Sequence, residues 1–459
     1  MTERIRNLFQ KVLKDESKIK KEEKQIIMDN KSMNIKQKYN KYVNLYSVKK
    51  MENLVIDRAE GASVYDIEGK EYLDCFAGIA VNNAGHRNPK VIQAAKDQMD
   101  KLVHCCTYVY YSEPPALLAE KLAQITPGRL EKTFFSNSGA EAIEGALRIA
   151  KQFTNKYEFI ALQGSFHGRT SATLSVTGNR KRKYKGGPYL SGISFAPTPN
   201  CYRCPFELEK EKCNLKCARY LRDVIDFQTS GSVAAFIAEP VMGEGGIIVP
   251  PEGYFKKVKE ILDEFNILFI ADEVQSGFGR TGKLFAIEHY KVEPDIMAMA
   301  KGIAGGFPLS AFVTRDEIAK SFNPGDHLST FGGNPVSCAA AIANIEFLLD
   351  EKIPEKALQK GEKFMPRLRD ELMSKYKLIG DVRGKGLMIG IELIKNKDKT
   401  PAFEEADQIK EICRENGLLI GVGGVYGNVI RIQPPLVIDE KQLEKALGVL
   451  DYAFSAAEK

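Results

Sequence analysis

Two short apolar runs, each ending on a charge, constrain this chain more than any other feature. Ile267–Ala271 runs into Asp272 and Glu273, and Ile296–Ala300 runs into Lys301, which a glycine-rich loop follows. Apolar runs this short and bounded read as buried strands. An acid at one strand end and a lysine at another point to the carboxyl edge of an α/β sheet, where ligands bind. A lone lysine after a core strand would mean little, because most lysines are simply solvated. Beside an acid it has a specific chemistry. The amine can condense with an aldehyde, and the acid can keep a pyridinium nitrogen protonated. Those are the two protein groups on which pyridoxal phosphate (PLP) depends.

The flanking sequence alternates between strand and helix. A hairpin turns at Glu68-Gly69, and Lys90–Leu102 keeps helical spacing. Lys132–Phe135 reads as a strand and feeds SNSGAEAIEGALRIAKQF, in which Ala142, Ile143, Ala146, Leu147 and Ala150 share a helix face. Ser138 followed by Glu141 has the form of a capping box. Free backbone N–H groups and the helix dipole at such a start suit a phosphate. Tyr157–Leu162 is the next strand and leads into SFHGRT, which holds Phe166, His167 and Arg169. Val233–Val241 ends in EPVMGEGG, with Glu239 and Glu244 just past it. Pro251–Phe265 and Val336–Leu349 read as helices. Residues 350–459 read as helix, strand pair, helix, strand and helix, with RGKGLMIGIEL as one strand and Arg431 in VIRIQPPLVI.

A chain of 459 residues, 44% hydrophobic, can bury a large core and predicts two domains. No apolar run is long enough to span a membrane. The lysine-rich start lacks the apolar stretch of a secretion signal, so the nine cysteines are expected as reduced thiols in a cytoplasmic protein. The net charge is +6, but residues 1–40 hold 11 Lys/Arg against 6 Asp/Glu. The remainder is near neutral, which argues against nucleic acid as a partner. Ile5, Leu8, Phe9, Val12 and Leu13 predict a short amphipathic helix that packs on the surface or on a dimer mate.

DEVQSGFGRTGK followed by PDIMAMAKGIAGGFPLSA resembles the signature of class III (ω-amino acid type) PLP-dependent aminotransferases, including 4-aminobutyrate, ornithine and acetylornithine aminotransferases. The resemblance covers roughly residues 45–455. It implies PLP-dependent transferase fold type I: an α/β large domain with a mostly parallel seven-stranded sheet, and a smaller α+β domain. It divides the chain into a charged extension (1–45), an N-terminal segment of the small domain (46–105), the large PLP-binding domain (106–345) and a C-terminal small domain (346–459).

The resemblance also implies roles. Lys301 holds PLP and carries the proton, and Asp272 faces the ring nitrogen. Ser138, Gly139 and Ala140 hold the phosphate. Phe166 stacks on the ring and His167 supports it. Val274 and Gln275 sit by the ring, Gln275 near its hydroxyl. Thr330, in HLSTFGGNP, reaches the phosphate of a neighbouring subunit, so active sites are shared in a homodimer. Ile79 and Glu239 belong to the substrate pocket. Arg431 takes an α-carboxylate and Arg169 a distal one. Glu244 pairs with Arg431 when no α-carboxylate is present and swings away when one is. Met242 stands where glutamine is more usual. The implied reaction moves an amino group from an ω-amino acid or diamine acid to a 2-oxo acid such as 2-oxoglutarate. An amino-acid racemase or epimerase on the same fold is the alternative.

Residues 197–217 form an insertion with Cys201, Cys204, Cys213 and Cys217, a C-x2-C and a C-x3-C separated by eight residues. Such spacing could close a zinc or iron–sulfur site. The gap is shorter than in common zinc ribbons, and four thiols in a surface insertion, or a disulfide formed on isolation, are the alternative.

Overall fold

The computed structural model describes residues 31–46, 48 and 51–458. The helix expected around Ile5, Leu8, Phe9, Val12 and Leu13 lies outside the described residues. After a helical stretch over residues 31–42 come three antiparallel strands: β1 (Ile56–Glu60), β2 (Ser63–Asp66) and β3 (Glu71–Asp74). The helix α1 (Pro89–Met99) follows, capped by the Asn88 side chain, which accepts from the N–H groups of Lys90 and Val91.

The next seven strands make one sheet. They are β4 (Lys132–Ser136), β5 (Glu158–Leu162), β6 (Ile193–Ala196), β7 (Val233–Ala238), β8 (Leu268–Asp272), β9 (Ile296–Met299) and β10 (Ser310–Thr314). Their order is β4-β10-β9-β8-β7-β5-β6. Only β10 runs antiparallel to its neighbours; the other pairings are parallel. This is the mostly parallel seven-stranded sheet that the family resemblance implies. β5, β7, β8, β9 and β10 are buried along their whole length. Crossover helices cover both faces of such a sheet, so its strands are apolar throughout rather than alternating. Two of these helices are α2 (Gly139–Thr154) and α3 (Tyr254–Glu264). The long α4 (Pro335–Asp350) then packs back on α1 through Val91, Ala95, Val336 and Ala340.

The C-terminal part holds β11 (Ile379–Lys385), β12 (Met388–Leu393), β13 (Leu418–Leu419), β14 (Gly421–Gly423), β15 (Val429–Ile432) and the final helix α5 (Glu440–Ala457). An antiparallel sheet runs β11-β12-β15-β14. β13 instead pairs in parallel with β3, joining chain segments far apart in sequence. RGKGLMIGIEL is not one strand: it straddles a hairpin between β11 and β12. Gly386 turns that hairpin at φ 55, a left-handed conformation glycine adopts without strain. β13 and β14 escape a reading by pattern because two or three residues show no periodicity. Among the described residues, no helix is long and apolar enough to cross a membrane.

Candidate active site

The carboxyl ends of β8 and β9 deliver Asp272 and Lys301 to one cavity of about 290 Å³. Around them the cavity brings together Gly139, Ala140, Phe166, His167, Arg169, Glu239, Glu244, Val274 and Gln275, all expected from sequence, with Gly168 in addition. Ser138, Ile79, Thr330 and Arg431 are not in its lining. Ser138 is the N-cap of α2 and its hydroxyl accepts from the Glu141 N–H at 3.3 Å. The return arm of the cap differs from the expected one. The Glu141 carboxylate receives the N–H of Asn137, at 3.1 Å, one residue earlier than a capping box requires. The first turn of α2 borders the cavity through Gly139 and Ala140, where a helix start leaves N–H groups without intrahelical partners.

Lys301 follows β9 in a left-handed conformation, φ 46. A side chain other than glycine in that region is uncommon and marks a constrained site. Burial lowers its amine to about 8, against the pull of Asp272 and Glu239 toward the charged form. Asp272 is itself buried. Its Oδ2 accepts from His167 Nδ1 at 2.7 Å and its Oδ1 from the Val274 N–H at 3.0 Å. A carboxylate only accepts, so the imidazole carries its proton on Nδ1. Among the described residues, Nε2 of that ring has no partner. Gln275 is tied by its Oε1 to Gln433 Nε2, 3.2 Å away.

Glu239 and Glu244 do different work. Both oxygens of Glu239 hold backbone: Oε1 accepts from the Phe166 N–H at 3.0 Å and Oε2 from the Gly243 N–H at 2.8 Å. Burial pushes its carboxyl up to about 7. Glu244 is also desolvated, but Arg431 and Arg182 outweigh that and hold its carboxyl below the usual range. Its Oε2 lies 3.0 Å from Arg431 Nη1, and its Oε1 contacts Arg182 Nη2. Arg431 is 4% exposed, 5.4 Å from the Phe76 ring. Among the described residues, its Nη2 makes only a long 3.4 Å bond to the Val422 carbonyl, and its Nε has no partner. Arg169 is exposed, with its guanidinium 5.5 Å from the Phe166 ring.

Ile79 lies in a turn where Gly78, Ile79 and Ala80 all have positive φ, and is 44% exposed. Thr330 is exposed beside Phe331. Met242 is fully buried, its sulfur accepting from the Thr198 hydroxyl, so it forms no part of the open cavity wall.

The sequence reading missed Arg182, Gln433 and Phe76. Gln433 had a signal: it stands two residues after Arg431, on the same side of an extended chain. Arg182 had none, because it sits among Arg180, Lys181 and Lys183 and only folding shows which of them reaches Glu244.

The metal expectation does not hold. Cys201, Cys204, Cys213 and Cys217 do border one small cavity of about 20 Å³. Among the described residues, however, no three His, Cys, Asp or Glu side chains converge in a set that could hold an ion. Ligation needs thiolates, whereas burial pushes the Cys217 thiol up to about 12 and Cys213 donates to the Lys210 carbonyl at 3.4 Å. All nine cysteines are free thiols.

The residues present fit PLP. A lysine amine with a lowered pKa faces a buried acid, with an aromatic ring and the N-terminus of a 16-residue helix alongside. Comparison with known proteins agrees. The family profile described as Aminotransferase class-III matches residues 45–454. A leucine/methionine racemase of Thermococcus litoralis is 42% identical over 409 residues, covering 88% of this chain and 91% of that protein. An acetylornithine aminotransferase of Methanothermobacter thermautotrophicus is 43% identical over 402 residues, covering 88% and 94%. A Bacillus anthracis aminotransferase crystal structure superposes with a TM-score of 0.87 at 35% identity, covering 93% of this chain and 99% of that one.

Proposed function

This chain belongs to the class-III aminotransferases, PLP-dependent enzymes of fold type I, and we propose that its amino donor is an ω-amino acid or diamine acid, 4-aminobutyrate- or ornithine-like, and its acceptor 2-oxoglutarate. One observation carries this reading. Arg431 is buried and matched to Glu244 through a single N–H, with Nη2 weakly bound and Nε, among the described residues, unpartnered. A guanidinium clamps a carboxylate best with two parallel bonds. Arg431 therefore has capacity left for an incoming α-carboxylate, while Glu244 neutralises it for donors whose amine lies far from their carboxylate. Arg169, exposed at the cavity wall, serves the distal carboxylate.

When bound, PLP supplies an electron-accepting ring that stabilises negative charge at the substrate carbon. The chain's own groups do the rest. Lys301 Nζ would hold the cofactor and move the proton, and its lowered pKa keeps a fraction of the amine neutral near pH 7. Asp272, oriented by His167 and the Val274 N–H, would face the ring nitrogen and favour its protonated form. Ser138, Gly139 and Ala140 would take the phosphate, Phe166 and Val274 the two ring faces, and Gln275 the ring hydroxyl. Glu239 holds the Phe166 loop in place rather than touching substrate first, since both its oxygens are taken by backbone.

Thr330 is read as the group lent to a second copy's phosphate in a homodimer. Leu328 and Phe331 beside it in sequence are exposed, as are Tyr110 and Tyr111 in the segment that Thr107 ties to this loop by donating to the Gly332 carbonyl. The sheet shared by β3 and β13 supports assigning 46–105 and 346–459 to one small domain. A cytoplasmic location fits nine free thiols.

Stopped-flow spectra of each half-reaction test the substrate reading. Arg431→Ala should mainly slow the 2-oxoglutarate half, and Arg169→Ala the 4-aminobutyrate half, each by about 2 kcal/mol of charge-assisted bonding. Equal losses in both halves would refute the division of labour. Racemisation is the second reading, favoured by the likeness to a leucine/methionine racemase. Conversion of one enantiopure amino acid to its mirror image without any oxo acid would establish it.

A further inference from the structure

We propose that Arg182 is a positioning residue for substrate selection: it receives the Glu244 carboxylate when Glu244 releases Arg431. The inference rests on the carboxylate-switch reading above and adds its second position. Glu244 is a bridge, with Oε2 on Arg431 and Oε1 on Arg182. The two arginines differ in the way a switch needs. The Arg431 side chain is 5% exposed and set in a strand, whereas the Arg182 side chain is 38% exposed on the short helical turn Arg180–Lys183. Arg431 is thus fixed beside the reaction cavity, and Arg182 is free to follow a moving partner.

There is also room for the movement. Glu244 lies in the wall between the reaction cavity and a second cavity of about 680 Å³, which Arg182, Lys181 and Gly423 also line. On the Arg431 side, Gly423 leaves no space to spare: a Cβ there would meet Arg431 Nε at 2.7 Å. The strand therefore holds the guanidinium still, and the carboxylate is the part that moves.

The electrostatics give the reason for a second arginine. A carboxylate leaving a buried partner without a new one carries an unpaired charge into low dielectric, which is expensive. Because Glu244 already holds Arg182 through one oxygen, it need only exchange its second oxygen from Arg431 to the same guanidinium. The charge stays paired throughout. Removing Arg182 takes two contacts from the released position and one from the bridged position, so it disfavours release. Substrates that need Arg431 suffer; donors that leave Glu244 in place do not.

Steady-state and single-turnover kinetics of the PLP-loaded enzyme test this, with 4-aminobutyrate as donor and 2-oxoglutarate or pyruvate, both α-carboxylates, as acceptor. Arg182→Ala should raise the acceptor KM tenfold or more, shift the donor KM no more than threefold, and leave the ratio of maximal half-reaction rates near wild type. Arg182→Lys keeps a charge and should stay within about threefold of wild type. In a Glu244→Gln background, Arg182→Ala should add less than twofold, since it acts through that carboxylate. Equal changes in both halves, or the same tenfold effect without the Glu244 charge, would overturn the proposal. Arg431→Ala separates the two levels. If it fails to discriminate between the halves, the switch reading itself falls; if it discriminates and Arg182→Ala does not, only the role of Arg182 falls.

Discussion

Gly243→Ala should disable the site from a position outside the cavity lining. Gly243 has no positive φ, so its backbone accepts a side chain. The space does not. An added Cβ would stand 1.9 Å from Gln275 Oε1 and 2.4 Å from its Cδ, more than an ångström inside a normal contact. The obstacle is the end of a flexible side chain, so Gln275 moves and the fold stays. Moving it breaks the 3.2 Å bond from Gln433 Nε2, worth about 1 kcal/mol, and leaves the fully buried Gln433 amide with an unmet group, about 1–3 kcal/mol more. A loss of about 2–4 kcal/mol should appear in urea denaturation as a lower midpoint with unchanged slope. The Gly243 N–H still donates to Glu239, so the Phe166 loop is retained. Activity and the cofactor's visible spectrum should match those of Gln275→Ala, and the double variant should lose little more than either single one. A wild-type spectrum and full activity in Gly243→Ala would show that Gln275 is not held against the ring.

Three further outcomes follow from the same geometry. Glu244→Ala removes the 3.0 Å charge-assisted bond to Arg431, so α-amino acid donors should gain on ω-amino acid donors by about 2 kcal/mol, about thirtyfold in relative kcat/KM; an unchanged ratio contradicts the switch. The Lys301 amine is protonated below about 8 and neutral above it, so its labelling by an amine-reactive reagent in cofactor-free protein should fall about tenfold per pH unit below about 8 and level off above. A titration near 10.5, with Lys301→Ala as the blank, would mean the amine is not desolvated. Arg280 is fully buried with, among the described residues, no carboxylate in contact, and it donates to Asn83 Oδ1 at 2.6 Å and to the Pro434 and Leu387 carbonyls. Arg280→Ala should cost about 3–5 kcal/mol of unfolding free energy, from unmet acceptors and a cavity; a loss under 1 kcal/mol would show those acceptors are satisfied otherwise.

The sequence by itself determined the sheet and its chemistry. The apolar runs of β5, β7, β8 and β9 are local, continuous and bounded, and a strand buried on both faces must look that way. Asp272 and Lys301 were legible because each ends such a run, and parallel strands put their carboxyl ends on one edge. The residues expected to surround the cofactor came from a family resemblance, and most of them do line one cavity. Tertiary structure decided everything that depends on contact between distant segments. β13 is two residues long and exists only because β3, some 345 positions earlier, offers it an edge. The four cysteines have ligand-like spacing, but spacing along a chain does not make side chains converge on an ion, and these do not. Arg182 is one of four adjacent basic residues. Which of the four meets Glu244 is set by how one short turn lies against a loop and a C-terminal strand, an arrangement that local propensity does not encode.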